Sequence, residues 1–109
     1  MKYSMKLLDK PFKSIKDGSK TVEFRLYDEK RKQIKIGDTI EFSLLPDLKE
    51  KILTEVVDLY HANTFKELLE NIYQNNEDLV KNKLEGIYTI YSKEQEKNYG
   101  VLGIKIKLI

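Results

Sequence analysis

The sequence predicts an α+β fold in which a small, mixed, mostly antiparallel β-barrel is flanked by two to four helices. Short segments of alternating apolar and polar residues, typical of half-buried strands, dominate residues 1–60 and return at the end of the chain. Helical spacing of apolar residues is concentrated in residues 64–91. So few helices among so many short strands argue against a repeated βαβ architecture and favour a barrel.

The alternation places five strands and one short helix in order along the chain. We predict strands at residues 3–8, 20–27, 39–44, 51–60 and 99–109, with the first and last of them able to pair. A short helix is predicted after the first strand, because Asp9 can cap it and Pro11 suits a first turn, where a missing N–H costs nothing. Gly18 is expected to end this helix, since glycine accepts the left-handed backbone of a helix stop.

Two longer helices are predicted between the fourth and fifth strands. Thr64 and Glu67 have capping-box spacing, and apolar residues follow at helical intervals. The second helix is predicted from an apolar stripe made of Val80, Leu84, Ile87 and Tyr91. Gly86 lies within this stripe and costs about 1 kcal/mol relative to alanine, so the helix is expected to kink or end early. Ser92 is placed to cap one further helical turn.

Length and composition limit the class of protein. With 109 residues, of which 40% are hydrophobic and 35% charged, the chain is predicted to be one globular domain spanning residues 1–109. The absence of a long apolar run and of a signal-peptide pattern predicts a cytoplasmic protein without a membrane partner. The chain has no cysteine and a single histidine, so neither a metal site nor a cofactor is expected. That histidine, His61, is interpreted as a surface or capping residue near a strand end.

Charge is distributed unevenly along the chain, although the net charge is only +2. Residues 1–35 carry 11 basic and 5 acidic side chains, whereas residues 36–98 carry 7 basic and 13 acidic ones. This polarity is compatible with a fold that presents a positive face to a polyanion. It is equally compatible with solvated charges that cluster only in sequence, and the basic triplet at residues 30–32 has the same two interpretations.

The segment from Gly18 to Arg25 holds the most informative polar residues. Strand pleating puts Glu23 and Arg25 on the face opposite to the apolar one, and Lys20 precedes them at the strand entrance. On a solvent-facing strand, Glu23 and Arg25 would be an exposed pair contributing about 0–1 kcal/mol. On a strand that lines a cleft, they would form a polar site with a forked donor and a carboxylate. The pattern alone leaves both interpretations open.

This segment and two others resemble the signature of the ASCH domain family. The matching elements, in chain order, are Pro11-Phe12, Ile15, Gly18, Lys20, Glu23, Arg25, Gly37-Asp38, Ile40 and Phe42. The end of the chain is similar to small bacterial members of the family through Tyr91-Ser92-Lys93-Glu94, Tyr99-Gly100-Val101 and Gly103-Ile104. The resemblance covers essentially the whole chain, and its elements occur in the family's order.

The resemblance implies a PUA-like β-barrel with a cleft beside the barrel mouth. In the family, the strand that carries Lys20, Glu23 and Arg25 lines this cleft, so these residues are expected to face a ligand. By analogy with PUA domains, the implied function is binding of RNA or of a modified nucleoside. Tyr91 and Tyr99 are further candidate ligand contacts, because tyrosine rings stack on unpaired bases.

The resemblance also implies an enzymatic alternative. A hydrolase branch of the family removes the acetyl group from acetylcytidine with a lysine, a threonine and a glutamate. Lys20 matches the lysine, but Glu23 stands at the threonine position. The glutamate is expected around Asn76 and Glu77. Lys20 and Glu23 are retained as candidate catalytic residues, under the hypothesis that they activate water while Arg25 stabilises an oxyanion.

Two further interpretations stay open at the level of sequence. One is ribonuclease activity at the same polar segment. The other is a fold retained for protein partnership, which predicts an exposed apolar patch.

Overall fold

The computed structural model describes residues 1–109 and contains five strands, four α-helices and one 3-10 turn at Arg31–Gln33. The strands are β1 (Lys2–Leu7), β2 (Val22–Leu26), β3 (Thr39–Leu44), β4 (Lys51–Ala62) and β5 (Val101–Leu108). The α-helices are α1 (Asp9–Lys16), α2 (Phe65–Ile72), α3 (Glu77–Ile87) and α4 (Lys93–Tyr99). The predicted α+β class, with a small mixed barrel-type sheet and two to four helices, is confirmed. None of the helices has the length and apolar character needed to cross a membrane.

The five strands form one sheet in the order β1-β3-β4-β5-β2. β1 runs parallel to β3, with Met5 opposite Phe42, and β3 runs antiparallel to β4, with Phe42 opposite Ile52. The first strand therefore pairs with the third, and the pairing of first and last strands considered from the sequence does not occur. Alternation fixes which face of a strand is apolar, but it does not select the neighbouring strand.

The chain forms two compact units, of which the first comprises Met1–Glu23, Ile34–Leu59 and Ile104–Ile109. Its fully buried apolar side chains come from α1, β3, β4 and β5 and are Phe12, Ile15, Ile40, Phe42, Val56 and Ile104. The predicted capping role of Asp9 was wrong. Asp9 is already the first helical residue, and its carboxylate forms an ion pair with Lys13 at 3.2 Å, while Leu8 occupies the N-cap without a side-chain cap.

The second unit comprises Phe24–Gln33 and Tyr60–Gly103 and contains α2, α3 and α4. The Thr64 hydroxyl caps α2 by accepting from the Glu67 N–H at 3.1 Å, which is one half of the predicted capping box. Ser92 caps α4 and forms a complete capping box with Gln95. α3 ends at Ile87, directly after Gly86. The early end expected from Gly86 is therefore confirmed, because glycine has a low helix propensity, and Tyr91 of the predicted stripe lies beyond α3.

Candidate functional site

Lys20, which lies just before β2, forms an ion pair with the buried Glu23 of β2 within the first unit. Lys20 Nζ lies 2.9 Å from Glu23 Oε1, and Glu23 is only 4% exposed. The Lys20 side chain keeps 20% of its surface accessible. This burial excludes the interpretation of Glu23 as one half of a solvent-exposed surface pair. Removing a carboxylate from water is costly and is offset here by the ammonium group of Lys20.

The backbone around Lys20 is fixed by its neighbours in the first unit. The Lys20 N–H donates to the Ser14 carbonyl of α1 at 2.9 Å, and the Thr21 carbonyl accepts from the Ile106 N–H of β5 at 2.9 Å. Gly18 turns the chain out of α1 with a φ of 84°, which glycine adopts without steric cost. Backbone hydrogen bonds therefore fix the position from which the Lys20 side chain extends.

The other polar residues of the predicted site occupy different surroundings. Arg25 is half-buried on β2 and belongs to the second unit. Thr21, the hydroxyl nearest to Lys20 in sequence, is exposed. The apolar residues of β2, which are Val22, Phe24 and Leu26, are all buried. Since Glu23 is buried as well, both faces of β2 are covered at that point, which is unusual for a polar residue of a short strand.

The two tyrosines predicted as ligand contacts are packed to different extents. Tyr91 stacks on Phe65 with ring centroids 5.6 Å apart and an interplanar angle of 18°. Tyr99 is the last residue of α4 and is 50% exposed. Tyr91 thus contributes to packing against α2, whereas Tyr99 offers an aromatic surface to solvent. A ligand-binding role remains a prediction for both residues.

Glu96 is a buried acid that the sequence analysis did not select. Its Oε2 accepts from the Phe65 N–H at 2.9 Å and from the Tyr88 hydroxyl at 2.8 Å. Burial, together with the hydrogen bond to Glu96 and its charge, raises the pKa of Tyr88 to about 12. The surrounding sequence, Lys93 to Asn98, is almost entirely polar, so nothing in it distinguishes Glu96 from the exposed residues around it.

A cavity of about 690 Å³ lies between α2 and α3 in the second unit. It is lined by Lys66, Glu70, Tyr73, Asn75, Asn76, Glu77, Val80, Lys81, Leu84, Glu85 and Tyr88. Asn76, whose side chain caps α3, and Glu77 were the positions expected for an acidic catalytic partner, and both belong to this lining. No cluster of three or more acidic, histidine or cysteine side chains is arranged to hold a metal ion.

A family model matches the part of the chain that carries these residues. The family model described as ASCH domain matches residues 5–109, which include the Lys20–Glu23 pair, β2 and the buried Glu96. The chain belongs to the ASCH domain family. No curated protein matches the sequence at a significant level.

Solved structures resemble this ASCH domain over its whole length. The crystal structure of hypothetical protein PH0355 is 35% identical, with all of both chains covered and a TM-score of 0.84. The solution structure of protein PF0455 from Pyrococcus furiosus is 33% identical, covers all of this chain and 98% of the other, and has a TM-score of 0.70. The S128A mutant of ZmASCH from Zymomonas mobilis shares the fold at 16% identity, with 95% and 66% of the two chains covered and a TM-score of 0.59.

Proposed function

We propose that this ASCH domain binds RNA or a modified nucleoside through the segment that carries Lys20 and Glu23. In this proposal Lys20 contacts a phosphate or a base edge, and Glu23 accepts a hydrogen bond from a base or ribose. Arg25 of β2 is proposed as a further ligand contact, since its planar guanidinium suits phosphate and base edges. Tyr91 and Tyr99 are proposed as stacking contacts.

The observation that carries the proposal is the burial of Glu23 against Lys20. Replacing a buried ion pair by an apolar pair of similar size often leaves a fold equally stable. Stability alone therefore does not explain why Lys20 and Glu23 form an ion pair here. Lys20 keeps a fifth of its side-chain surface accessible, so a ligand can contact the residue that neutralises Glu23. A partly accessible, fixed charge pair is typical of a site that recognises a polar ligand.

A second candidate function, hydrolysis, is favoured by the direct contact between Lys20 Nζ and Glu23 Oε1 at 2.9 Å. Glu23 would take a proton from water, and the hydroxide would add to the acyl carbon of an acylated nucleoside. The C–N bond would then break as the proton passes to the leaving amine, with Arg25 stabilising the oxyanion. A ribonuclease would use the same base to activate a ribose 2′-hydroxyl.

The test is equilibrium binding of short single-stranded RNA and acetylcytidine to the wild type and to the double variant Lys20→Met with Glu23→Gln. This variant removes both charges while conserving side-chain volume, so no unpaired charge is left buried. We expect binding to weaken by about tenfold or more, because a hydrogen bond to a charged group contributes about 1.5–3 kcal/mol. Lys13→Ala, an exposed lysine of α1 paired with Asp9, is the matched control and should bind as the wild type does.

Mass spectrometry of the same mixtures separates binding from catalysis. Free cytidine or cleaved RNA that appears with the wild type and not with the double variant would make the domain a hydrolase. Intact substrates with charge-dependent binding are the result expected for a recognition domain. Equal binding by the wild type and the folded double variant would refute a site at Lys20 and Glu23.

A further inference from the structure

We infer that a second surface of the protein, formed by Tyr27, His61 and Lys32, binds an unpaired base and its adjoining phosphate in single-stranded RNA. This inference deepens the proposed function and rests on it. It assigns the ligand of this second surface to the polynucleotide class rather than to free nucleosides. The three residues, called here the Tyr27–His61 platform, all belong to the second unit.

The core of the platform is a contact between two aromatic rings. The ring centroids of Tyr27 and His61 are 4.0 Å apart, and the ring planes are inclined by 48°. Tyr27 is half-buried, whereas His61 is exposed. The Tyr27 ring therefore packs against the protein, and the His61 ring keeps part of its surface accessible to a further planar group. Bases stack on such aromatic side chains largely independently of sequence.

Gly100, the residue directly before β5, lies beside Tyr27 and His61. The Tyr27 N–H donates to the Gly100 carbonyl at 3.0 Å, which fixes Tyr27 beside Gly100. A Cβ atom at Gly100 would lie 3.3 Å from the Ala62 carbonyl oxygen and 3.9 Å from His61 Nε2. The φ of Gly100 is 72°, a conformation that L side chains rarely adopt. The backbone conformation thus favours glycine at this point, and a Cβ atom would also press against the Ala62 carbonyl oxygen.

Cationic groups border the platform on the side of the 3-10 turn. Lys32 Nζ lies 5.6 Å from the centroid of the Tyr27 ring, and Lys30 is exposed two residues earlier. Arg31 is occupied by Asp28, with Nη1 and Oδ2 2.8 Å apart. The remaining acid, Glu29, is 91% exposed and pairs with Lys32 at 3.2 Å. Such an exposed ion pair contributes little, so a phosphate can replace Glu29 as the partner of Lys32.

The combination of ring surface and ammonium group matches one nucleotide of a single strand. The base stacks on His61 while Lys32 contacts its phosphate. In a duplex the bases are already stacked on each other and are not available to the platform. A free nucleoside lacks the phosphate that Lys32 would bind. The platform is thus specific for unpaired polynucleotide over both alternatives.

The test compares His61→Leu with His61→Phe in fluorescence anisotropy of a short labelled oligoadenylate. Loss of the ring should weaken binding by about tenfold, within the range measured for base stacking on aromatic residues, and phenylalanine should restore it to within about twofold. Lys32→Ala should weaken binding as well. Lys97→Ala, an exposed lysine of α4 in the same unit, is the control and should have no effect.

Acetylcytidine and duplex RNA serve as comparison ligands. Their binding should be unchanged in His61→Leu, whereas the Lys20→Met, Glu23→Gln variant tests the proposed site separately. Oligoadenylate affinity that is equal in the wild type and His61→Leu overturns the platform and leaves the Lys20 site intact. Equal weakening for duplex RNA, or no oligoadenylate binding by the wild type, also overturns it. Loss in His61→Leu with normal binding by the Lys20→Met, Glu23→Gln variant would retain the platform and refute the proposed site.

Discussion

At the scale of single residues, Glu96 is a buried acid whose carboxylate accepts hydrogen bonds from two other parts of the second unit. Its carboxylate receives a backbone N–H from the first residue of α2 and the hydroxyl of Tyr88. Phe65 is fully buried, so its N–H has no access to water if the carboxylate is removed. One buried acid therefore satisfies the start of one helix and orients a tyrosine that lines the cavity between α2 and α3.

We predict that Glu96→Ala lowers the free energy of unfolding by about 2–4 kcal/mol, because two donors lose a charged acceptor. Urea denaturation measures this directly. Glu94→Ala, which removes an exposed acid from the same helix, should change stability by less than about 0.5 kcal/mol. In folded Glu96→Ala protein, the pKa of Tyr88 should fall from about 12, since two of its causes disappear. Equal unfolding free energies for the two variants would contradict this role of Glu96.

The sequence predicted residues of the candidate site unevenly. Lys20 and Glu23 were selected because they match the ASCH signature, and the structure places them in direct contact at 2.9 Å. Glu96 was not selected, because its partners Phe65 and Tyr88 reach it only through folding. His61 was correctly expected at the surface, but its ring contact with Tyr27 was not foreseen. Local spacing predicts neighbours within a turn or strand, whereas contacts between distant segments depend on topology.

At the scale of elements, Gly86 of α3 has open space beside its Cα atom, whereas Gly103 of β5 is closely packed. A Cβ atom at Gly86 of α3 would contact nothing within 4 Å. At Gly103 of β5 it would lie 3.3 Å from Ile72 Cδ1 and 3.4 Å from Leu68 Cδ1. Gly103 thus allows α2 to approach β5 within the second unit, while Gly86 only loosens the end of its helix.

We predict that Gly86→Ala stabilises the protein by about 0.5–1 kcal/mol, because alanine has lower backbone entropy in the unfolded chain and better helix propensity. Thermal or urea denaturation measures the change. Gly103→Ala is the matched comparison and should destabilise by about 1 kcal/mol, since the leucine and isoleucine methyl groups must move. Stabilisation by both substitutions would show that α2 is not packed tightly against Gly103.

Element boundaries followed from the sequence more closely than strand order did. Periodicity placed β3 correctly and the other strands to within about two residues, and capping residues gave the starts of α2 and α4. The parallel pairing of β1 with β3 was not predicted, because residues 37 positions apart carry no local record of their contact. The cap of helix α1 was predicted one residue too late, because the helix begins at Asp9 and its N-cap is Leu8.

At the scale of the whole molecule, the charge asymmetry of the sequence does not divide the protein into a basic and an acidic unit. The first unit carries 11 basic and 9 acidic side chains, and the second carries 9 of each. Two lysines of residues 1–35 also pair with acids from later in the chain, Lys2 with Glu41 and Lys16 with Glu50. The proposed RNA binding would therefore depend on a few lysines rather than on a broad basic face.

We predict a shallow salt dependence for short single-stranded RNA, with log K falling with log salt at a slope of about −2 for about three phosphate contacts. Substitution of Lys32 by alanine should reduce the slope by about 0.7, because each contact in a single strand releases about that many counterions. Acetylcytidine, which has no phosphate, is the control and should bind with little salt dependence. A slope steeper than about −4 would require a cationic surface larger than the one described.

The composition of the first unit has a consequence for biosynthesis. Its residues come from three separate stretches, and the last of these, residues 104–109, bonds to the others through hydrogen bonds such as Ile106 N–H to the Thr21 carbonyl. On the ribosome, α1 and β1 therefore emerge early but lack part of their unit until residues 104–109 have left the exit tunnel. During that interval the apolar faces of the earliest segments are exposed, a state that favours chaperone binding and aggregation. Any translation pause after α1 has emerged and before residues 104–109 are available would prolong this interval.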